Sequence, residues 1–456
     1  MHCHRFMVTA GVVFGLSVIA MVHIYKTWMM TNIRLMVDKL RNCDVPFLKE
    51  LYGEDTEVLR QQHNEYLKLI GEFQEIYPHN TAALFSSPGR TEIGGNHTDH
   101  NHGRVLAGAV NLDNIAIAAI NHSNLIQIKS VGYPQFSVDL TSLEVNPDEQ
   151  FTSAALVRGI CARLKQLGYQ IGGFDACITG RVPKGSGLSS SASFEVLIGA
   201  IVSELFNNGK IDAVENAIVG QFAENHYFGK PCGLMDQTAC SVGGLISIDF
   251  KEPANPVVKK IDFNFIDTGY ALVITDTGGS HADLNDEYAS LPIEMKSVAS
   301  QLGAKFLREV SLDDIVAAIP QIREKVGDRA LLRSFHFQQD NQRVSDQVKA
   351  LEENNFDLFL QMVIESGYSS FMYNQNIYPV SNVAEQGLSL GLALSEMVLK
   401  GRGAWRVHGG GFAGTIQAFV PADLLNKYVT TLEHVFGNGT CHKLFIRSKG
   451  TCTIEI

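Results

Sequence analysis

The chain is short of charge. Only 19% of its 456 residues are Asp, Glu, Lys or Arg, and no run of like charge is long enough to form an interaction tail. The charge present leans acidic, with 48 acids against 37 Lys and Arg and a formal net charge of −11. A nucleic-acid surface needs clustered Lys and Arg to neutralise phosphates, so no nucleic-acid partner is expected. The eight cysteines lie singly, with no CxxC pair among them. That spacing gives neither a zinc site nor a disulfide framework, and it predicts reduced thiols in a reducing compartment. Internal repeats and low-complexity tracts are lacking as well. With 45% hydrophobic residues there is ample material for packed cores, and the length favours two or three domains of roughly 100–200 residues each.

Long hydrophobic runs are nearly lacking too. The exception is Phe6 to Val22, uncharged and flanked by Arg5 and Lys26. A run of that length sits at the lower edge of a membrane span. Three readings stay open: an extension that is dispensable or not made, with the start at Met30 or Met36; a membrane anchor; or a signal peptide, although no small-x-small cleavage site follows. Residues 1–36 are set apart as this extension, and membrane contact is expected only if residues 6–22 are a real anchor.

Helical spacing of Tyr66, Leu69, Ile70, Phe73, Ile76 and Tyr77 predicts a helix over 58–77, stopped by Pro78. Short β-rich runs follow at 82–86, 105–110, 115–120, 125–130 and 136–140, separated by turn residues, which predicts a mainly antiparallel or mixed sheet. Next come a helix at 154–167, a strand at 174–179, a Gly/Ser-rich loop, helices at 190–206 and 213–227, and a strand at 245–250. The segment 251–256 holds two prolines and is read as the boundary between domains at 37–256 and 257–456. Beyond it lie a strand at 271–275, helices to about 400, and β-runs at 405–407, 415–420, 443–446 and 451–456. Strands and helices mix without a strict βαβ rhythm, so the fold class is α+β.

Four stretches carry candidate chemistry. The first, Pro88 to Asn101, sets Arg90, Asn96, His97, Thr98, Asp99 and His100 among Gly89, Gly94 and Gly95. Glycine admits close backbone approach, and the polar side chains are donors and acceptors suited to reading several hydroxyls at once. His97, His100 and His102 lack both the i, i+4 pairing of a helical metal site and a second ligand cluster, which argues against a metal; a simple polar turn is the plain alternative to a ligand site. The second, Gly180 to Ser193, follows a predicted strand and runs into an apolar helix through Gly185, Ser186, Gly187, Leu188, Ser189, Ser190 and Ser191. A glycine-rich entry to a helix N-terminus makes a phosphate cradle, although the stretch is neither a Walker A loop nor a GxGxxG fingerprint. Ser189 also reads as a simple N-cap.

The third stretch, Gln221 to Gln237, places Glu224 on a helix and Asp236 after a Pro/Gly turn, an arrangement that could bring a metal-binding carboxylate near a base. The fourth, His408 to Gly414, is a glycine run that lets backbone pack tightly against a ligand or another strand.

In this order, the four stretches resemble the galactokinase family within the GHMP sugar and metabolite kinases, over roughly Leu51 to the C-terminus. The resemblance implies a two-domain α+β fold with the active site between domains, and ATP-dependent phosphorylation of D-galactose to galactose 1-phosphate. It implies Asp236 as the base taking the sugar hydroxyl proton, and Arg90 as the group stabilising the transferring phosphoryl. Ser191 and Glu224 would hold Mg²⁺, Gly185 to Ser191 would wrap the ATP phosphates, and Asn96, His97, Thr98, Asp99, Gly233 and Tyr288 would contact the sugar. The chain departs from the better-known members at Asn96, where they carry glutamate, and at Glu92, where many carry asparagine. His408 and Ala413 alter the last glycine motif, and no tryptophan stands near Ser153. A kinase for a related hexose such as N-acetylgalactosamine, or a non-catalytic galactose sensor, is the competing reading. Sensors tend to be damaged in the phosphate loop, whereas Ser189, Ser190, Ser191 and Ala192 are intact here. A cytoplasmic monomer is expected.

Overall fold

A computed structural model of the chain describes residues 30–182, 187–230, 232–279 and 284–456. The apolar stretch 6–22 and two residues of the phosphate loop, Gly185 and Ser186, lie outside the described residues. Among the described residues, no helix is long and apolar enough to cross a membrane.

The strands are β1 (Thr31–Asn32), β2 (Thr81–Gly94), β3 (Arg104–Ile120), β4 (Leu125–Ser130), β5 (Phe136–Asp139), β6 (Phe174–Gly180), β7 (Leu245–Asp249), β8 (Val257–Ile261), β9 (Tyr270–Asp276), β10 (Ala404–Val407), β11 (Thr415–Pro421), β12 (Cys441–Leu444) and β13 (Cys452–Thr453). The helices before the 251–256 segment are α1 (Ile33–Arg41), α2 (Phe47–Tyr52), α3 (Thr56–Ile76), α4 (Ser153–Gln166), α5 (Ser190–Asn207), α6 (Ala213–Ala223) and α7 (Met235–Val242). After it come α8 (Asn285–Gln301), α9 (Leu312–Val326), α10 (Asp328–Glu352), α11 (Phe356–Ser369), α12 (Gly387–Leu399) and α13 (Leu425–Phe436). Helix α6 continues as a π turn over Glu224–Phe228, and α11 as another over Ser370–Asn374.

Two sheets organise the molecule. The first runs β1-β2-β3-β6-β4-β5, with β13 added to β2 and the β7–β8 pair added to β3. All its pairings are antiparallel except β4 with β6, so the sheet is mixed. The second, β10-β11-β9-β12, is antiparallel throughout. Strand β8 pairs with β7, so residues 257–261 complete the first sheet and the second begins only at β9.

Period-2 alternation decides what each face of the first sheet touches. Leu84, Ile115 and Ile117 pack under Tyr66, Leu69, Ile70 and Phe73 of α3. Their neighbours Phe85, Ala116 and Ala118 face Val157 and Ile160 of α4 and Leu197 and Ile201 of α5. Helix α3 forms where the spacing predicts it, opened by Asp55, whose carboxylate accepts from the N–H groups of Glu57 and Val58. A third cluster joins the lobes: Ile93, Leu106 and Val110 from the first sheet meet Leu272, Ile274 and Phe419 from the second, with Phe359 of α11 between them. Burying each such side chain contributes about 1.5–3 kcal/mol, which holds the two sheets against one another and fixes the cleft at their junction.

Candidate active site

All four stretches meet where the end of β2 faces the second sheet. The β2–β3 register shifts between Pro88 and Arg90, which re-aims the strand there. Arg90 is buried, with Nε and Nη2 each 2.8 Å from Asp236 Oδ1, and Nη1 donates to the Gly187 carbonyl. Asp236 sits in the first turn of α7 with its side chain 35% exposed, so one cation grips a carboxylate that still opens to the cleft.

The second Asp236 oxygen accepts from Ser189 Oγ at 2.5 Å. This corrects the N-cap reading of Ser189. The residue stands at the N-cap of α5, with φ of 59°, but its hydroxyl is committed to Asp236 and caps nothing. Among the described residues, the first-turn N–H groups of this 18-residue helix have no side-chain acceptor at the positive end of its dipole. Such an end takes anions, so Gly187, Leu188, Ser189, Ser190 and Ser191 fit a polyphosphate. A Cβ on Gly187 would lie 2.9 Å from Thr415 Oγ1 and 3.0 Å from His408 Nδ1, so only glycine lets this stretch lie against the last glycine motif.

Beside Asp236 lies an acidic corner. Ser191 opens α5, and Glu195 follows one turn later on the same face. Glu195 is fully buried and Glu224 nearly so; the single amide nitrogen of Gln237 donates to both carboxylates, at 2.9 and 3.0 Å. Lys230 Nζ is 3.9 Å from Glu224 Oε1 and mostly exposed. Burial, and then the neighbouring Glu224 charge, push the Glu195 carboxyl well above its ordinary range; burial raises Glu224 as well. Glu195 Oε1 is buried with no hydrogen-bond partner. Among the described residues, no three His, Cys, Asp or Glu side chains converge closely enough to hold a metal by themselves. A set made of one hydroxyl and two carboxylates, short of positive charge, fits a hard divalent cation completed by phosphate oxygens or water. Glu195 and Gln237 were not singled out from the sequence, although the i, i+4 step from Ser191 was a usable signal.

The turn at 95–102 closes the cleft from the other side. Gly95, His97 and His102 take φ of 85°, 58° and 62°. A Cβ on Gly233 would lie 2.4 Å from Asp99 Oδ2, so the glycine three residues before Asp236 abuts Asp99. His97 Nε2 donates to Gly410 O at 2.8 Å, and Tyr288 Oη donates to Gly411 O at 2.7 Å. Burial lowers His97 to about 4 and raises Tyr288 to about 12, so both are neutral donors near pH 7. Asn96 and Thr98 are fully buried. The Thr98 hydroxyl donates to Gly95 O at 2.8 Å, inside the turn.

The Asn96 amide is engaged on every side. Its Nδ2 donates to Glu92 Oε1 (3.0 Å) and Gly409 O (2.8 Å), and its Oδ1 accepts from Ser370 Oγ (3.2 Å) and Asn376 Nδ2 (2.9 Å). Glu92 in turn pairs with Arg406 Nη2 at 2.8 Å, both groups being buried. His408 bridges Thr91 and Thr415 through its two ring nitrogens; burial, then Arg90 and Arg406, hold it well below its usual range and hence neutral. The structure thus unites Arg90, Asp236, Ser189 and Gly187 in one contact set, Asp99 with Gly233 beside it, and Asn96, His97 and Tyr288 around Gly409–Gly411.

Comparison with known proteins accords with this geometry. The family model described as GHMP kinases N terminal domain matches residues 155–244, and the galactokinase galactose-binding signature matches residues 71–120. The galactokinase of Clostridium tetani is 28% identical over 366 residues, covering 79% of this chain and 90% of that protein. The galactokinase of Streptomyces coelicolor is 29% identical over 371 residues, covering 80% and 92%. Among solved structures, Lactococcus lactis galactokinase complexed with galactose aligns with a TM-score of 0.71 at 24% identity, over 84% of this chain and 98% of that one. A mevalonate kinase aligns with a TM-score of 0.57 at 14% identity, over 80% and 98%. With both lobes aligned to these structures, the chain has the two-lobed fold they share, and residues 155–244 within it match the GHMP kinases N terminal domain.

Proposed function

We propose that this protein is a galactokinase, transferring the γ-phosphoryl group of ATP to the anomeric hydroxyl of D-galactose. The observation that carries the reading is the Arg90–Asp236–Ser189 contact set placed directly against Asp99 and Gly233 of the sugar side. Asp236 takes the proton of the attacking hydroxyl as the bond to phosphorus forms. Arg90 orients that carboxylate and faces the charge that develops on the transferring group. Phosphoryl transfer asks mainly for positioning and charge neutralisation, which these groups supply. The uncapped N-terminus of α5 binds the ATP phosphates, with Gly185 and Ser186 as further members of the loop. Ser191 and Glu224 would hold Mg²⁺, which neutralises phosphate charge when bound. His97, Asp99, Gly233 and Tyr288 shape the sugar pocket, which Asn96 and Thr98 support from within. The same reading makes the protein a monomer working in the cytoplasm, with its lobes dividing close to the 256/257 boundary read from the sequence.

A panel of free hexoses and N-acetylgalactosamine, assayed for ADP release with the phosphate position of the product determined, tests this. Galactose 1-phosphate as the main product supports it. Preference for another sugar by tenfold or more, or sugar binding without turnover, would overturn it.

A further inference from the structure

The sugar-signature turn adopts a conformation its own residues disfavour. His97 sits at φ 58° two residues after Gly95 at φ 85°, and a non-glycine residue held in that region is strained. Such a turn persists only where something outside it dictates its path.

Helix α10 supplies that constraint. Asp340 Oδ2 accepts from the main-chain N–H of Asn96 at 2.9 Å, and His336 Nε2 donates to the main-chain carbonyl of the same residue at 2.8 Å. The two side chains stand four residues apart on one face of the helix, both fully buried. Each is itself held. Asp340 accepts from Arg343 Nη1 at 2.5 Å, and His336 Nδ1 lies 2.8 Å from Ser369 Oγ. One residue further along, Asn341 Oδ1 accepts from the main-chain N–H of Arg104 at 2.9 Å, where the turn rejoins β3. Burial lowers His336, more than Asp340 and the Asn96 carbonyl raise it, so the ring is neutral. With Nε2 facing a carbonyl, the proton is on Nε2, and Nδ1 accepts from Ser369.

We propose that His336 and Asp340 are positioning residues for sugar recognition: by holding both main-chain groups of Asn96, they fix the left-handed path that aims His97 and Asp99 into the cleft. Both act through the main chain of Asn96 and not through a side chain that lines the cleft. The claim that the aimed groups read a sugar rests on the proposed function above. The clamp itself rests only on the hydrogen bonds.

The test uses the full chain with three substitutions: His336→Phe, which removes the donor; His336→Gln, which keeps one; and Asp340→Asn, which keeps shape but not charge. Amide hydrogen exchange is followed by mass spectrometry, alongside KM for sugar and for ATP. Losing one such hydrogen bond corresponds to about 2- to 12-fold. The expected result for His336→Phe and Asp340→Asn is exchange accelerated by that factor or more in peptides covering 95–104. Sugar KM should rise by a similar factor, ATP KM should stay within twofold, and His336→Gln should lie within threefold of wild type on both readouts. Should His336→Phe fail to fold, the other two variants decide the matter. Exchange at 95–104 unchanged in Asp340→Asn, or exchange and both KM values rising together across the chain, would overturn the clamp. A wild type that turns over no galactose sinks the proposed function instead; the exchange measurement then judges the clamp alone.

Discussion

Around Asn96, both amide protons, both carbonyl lone pairs and both main-chain groups have protein partners. Across the same cleft, Glu195 is equally buried, yet one of its oxygens has no partner among the described residues, and the charge that acts on it most strongly is another carboxylate, Glu224. Burying a polar group without a partner costs free energy, and burying a charge costs more. A fully bonded amide is a finished part, ready before any ligand arrives. An unpaired buried carboxylate is an unfinished one, stable only when it holds a proton or when a cation joins it. Under the proposed function, the sugar side is thus built in advance of its ligand, while the phosphate side is completed by its ligand.

Substitutions can break this contrast at either end. The largest effect is expected at Asp236, which joins the two sides. Asp236→Asn should lower kcat by about 10²- to 10⁴-fold while sugar affinity, measured by calorimetry, largely survives. Turnover near wild type would remove Asp236 from the reaction. Next is Asn96→Asp, nearly isosteric, which turns two donated hydrogen bonds into an oxygen facing Glu92 Oε1 and the Gly409 carbonyl. An uncompensated buried charge of this kind should cost about 3–5 kcal/mol in denaturant unfolding. A variant as stable as wild type would mean the amide is not locked.

The acidic corner gives the opposite sign. Because the folded-state pKa of Glu195 is raised, its carboxyl destabilises the fold at neutral pH without a cation. Stability from this group is fully present below the ordinary carboxylate range and is lost as pH rises through the higher folded value. Each unit of elevation corresponds to about 1.4 kcal/mol. In Mg²⁺-free buffer Glu195→Gln should therefore raise Tm near pH 7, with the gain vanishing toward pH 4. A Tm below wild type at pH 7 would contradict the unfinished-site reading. The smallest effect belongs to Ser370→Ala, which removes only the 3.2 Å bond to Asn96 Oδ1. A loss of about 0.5–1.5 kcal/mol in unfolding free energy is expected; more than twice that would mean Ser370 supports something besides Asn96.

Much of the architecture was legible because local chemistry and tertiary packing agree. Helix α3 carries its own N-cap and its own stop at Pro78, and α4 and α5 start within a residue of where periodicity puts them. Strand lengths were not legible. Pro88 and Gly89 read as a turn, yet β2 runs through them to Gly94. Likewise β3 is one strand of 17 residues where two short ones were expected. The cause lies at Asp113 and Asn114, which look like turn residues but are buried and hydrogen-bonded to Tyr52, Arg447 and Ser193, all remote in sequence. The helices α1, α2, α7 and α13 and strands β1 and β8 went unassigned. In the site, motifs exposed the residues of the cleft wall but not Arg406, His336 or Asp340. Their signal was negative: polar residues at 336, 340 and 347 occupy one buried face of α10 together with Phe337, Val344 and Val348, where an ordinary amphipathic helix would be apolar throughout.

Strand β13 has a consequence for how the protein is made. It pairs with β2, Thr451 bonds Ser87 across 364 positions of sequence, and Arg447 closes on Asp113 from the same tail. At about 5–20 residues per second, a ribosome needs roughly 20–70 s to supply that partner after β2 has emerged. For that interval β2 presents an open edge and Asp113 lacks one of its two arginines. The lobe that carries the sugar signature therefore waits on residues translated after the entire second sheet. Truncation ahead of Phe445 should cost the cell the whole enzyme, not merely the tail.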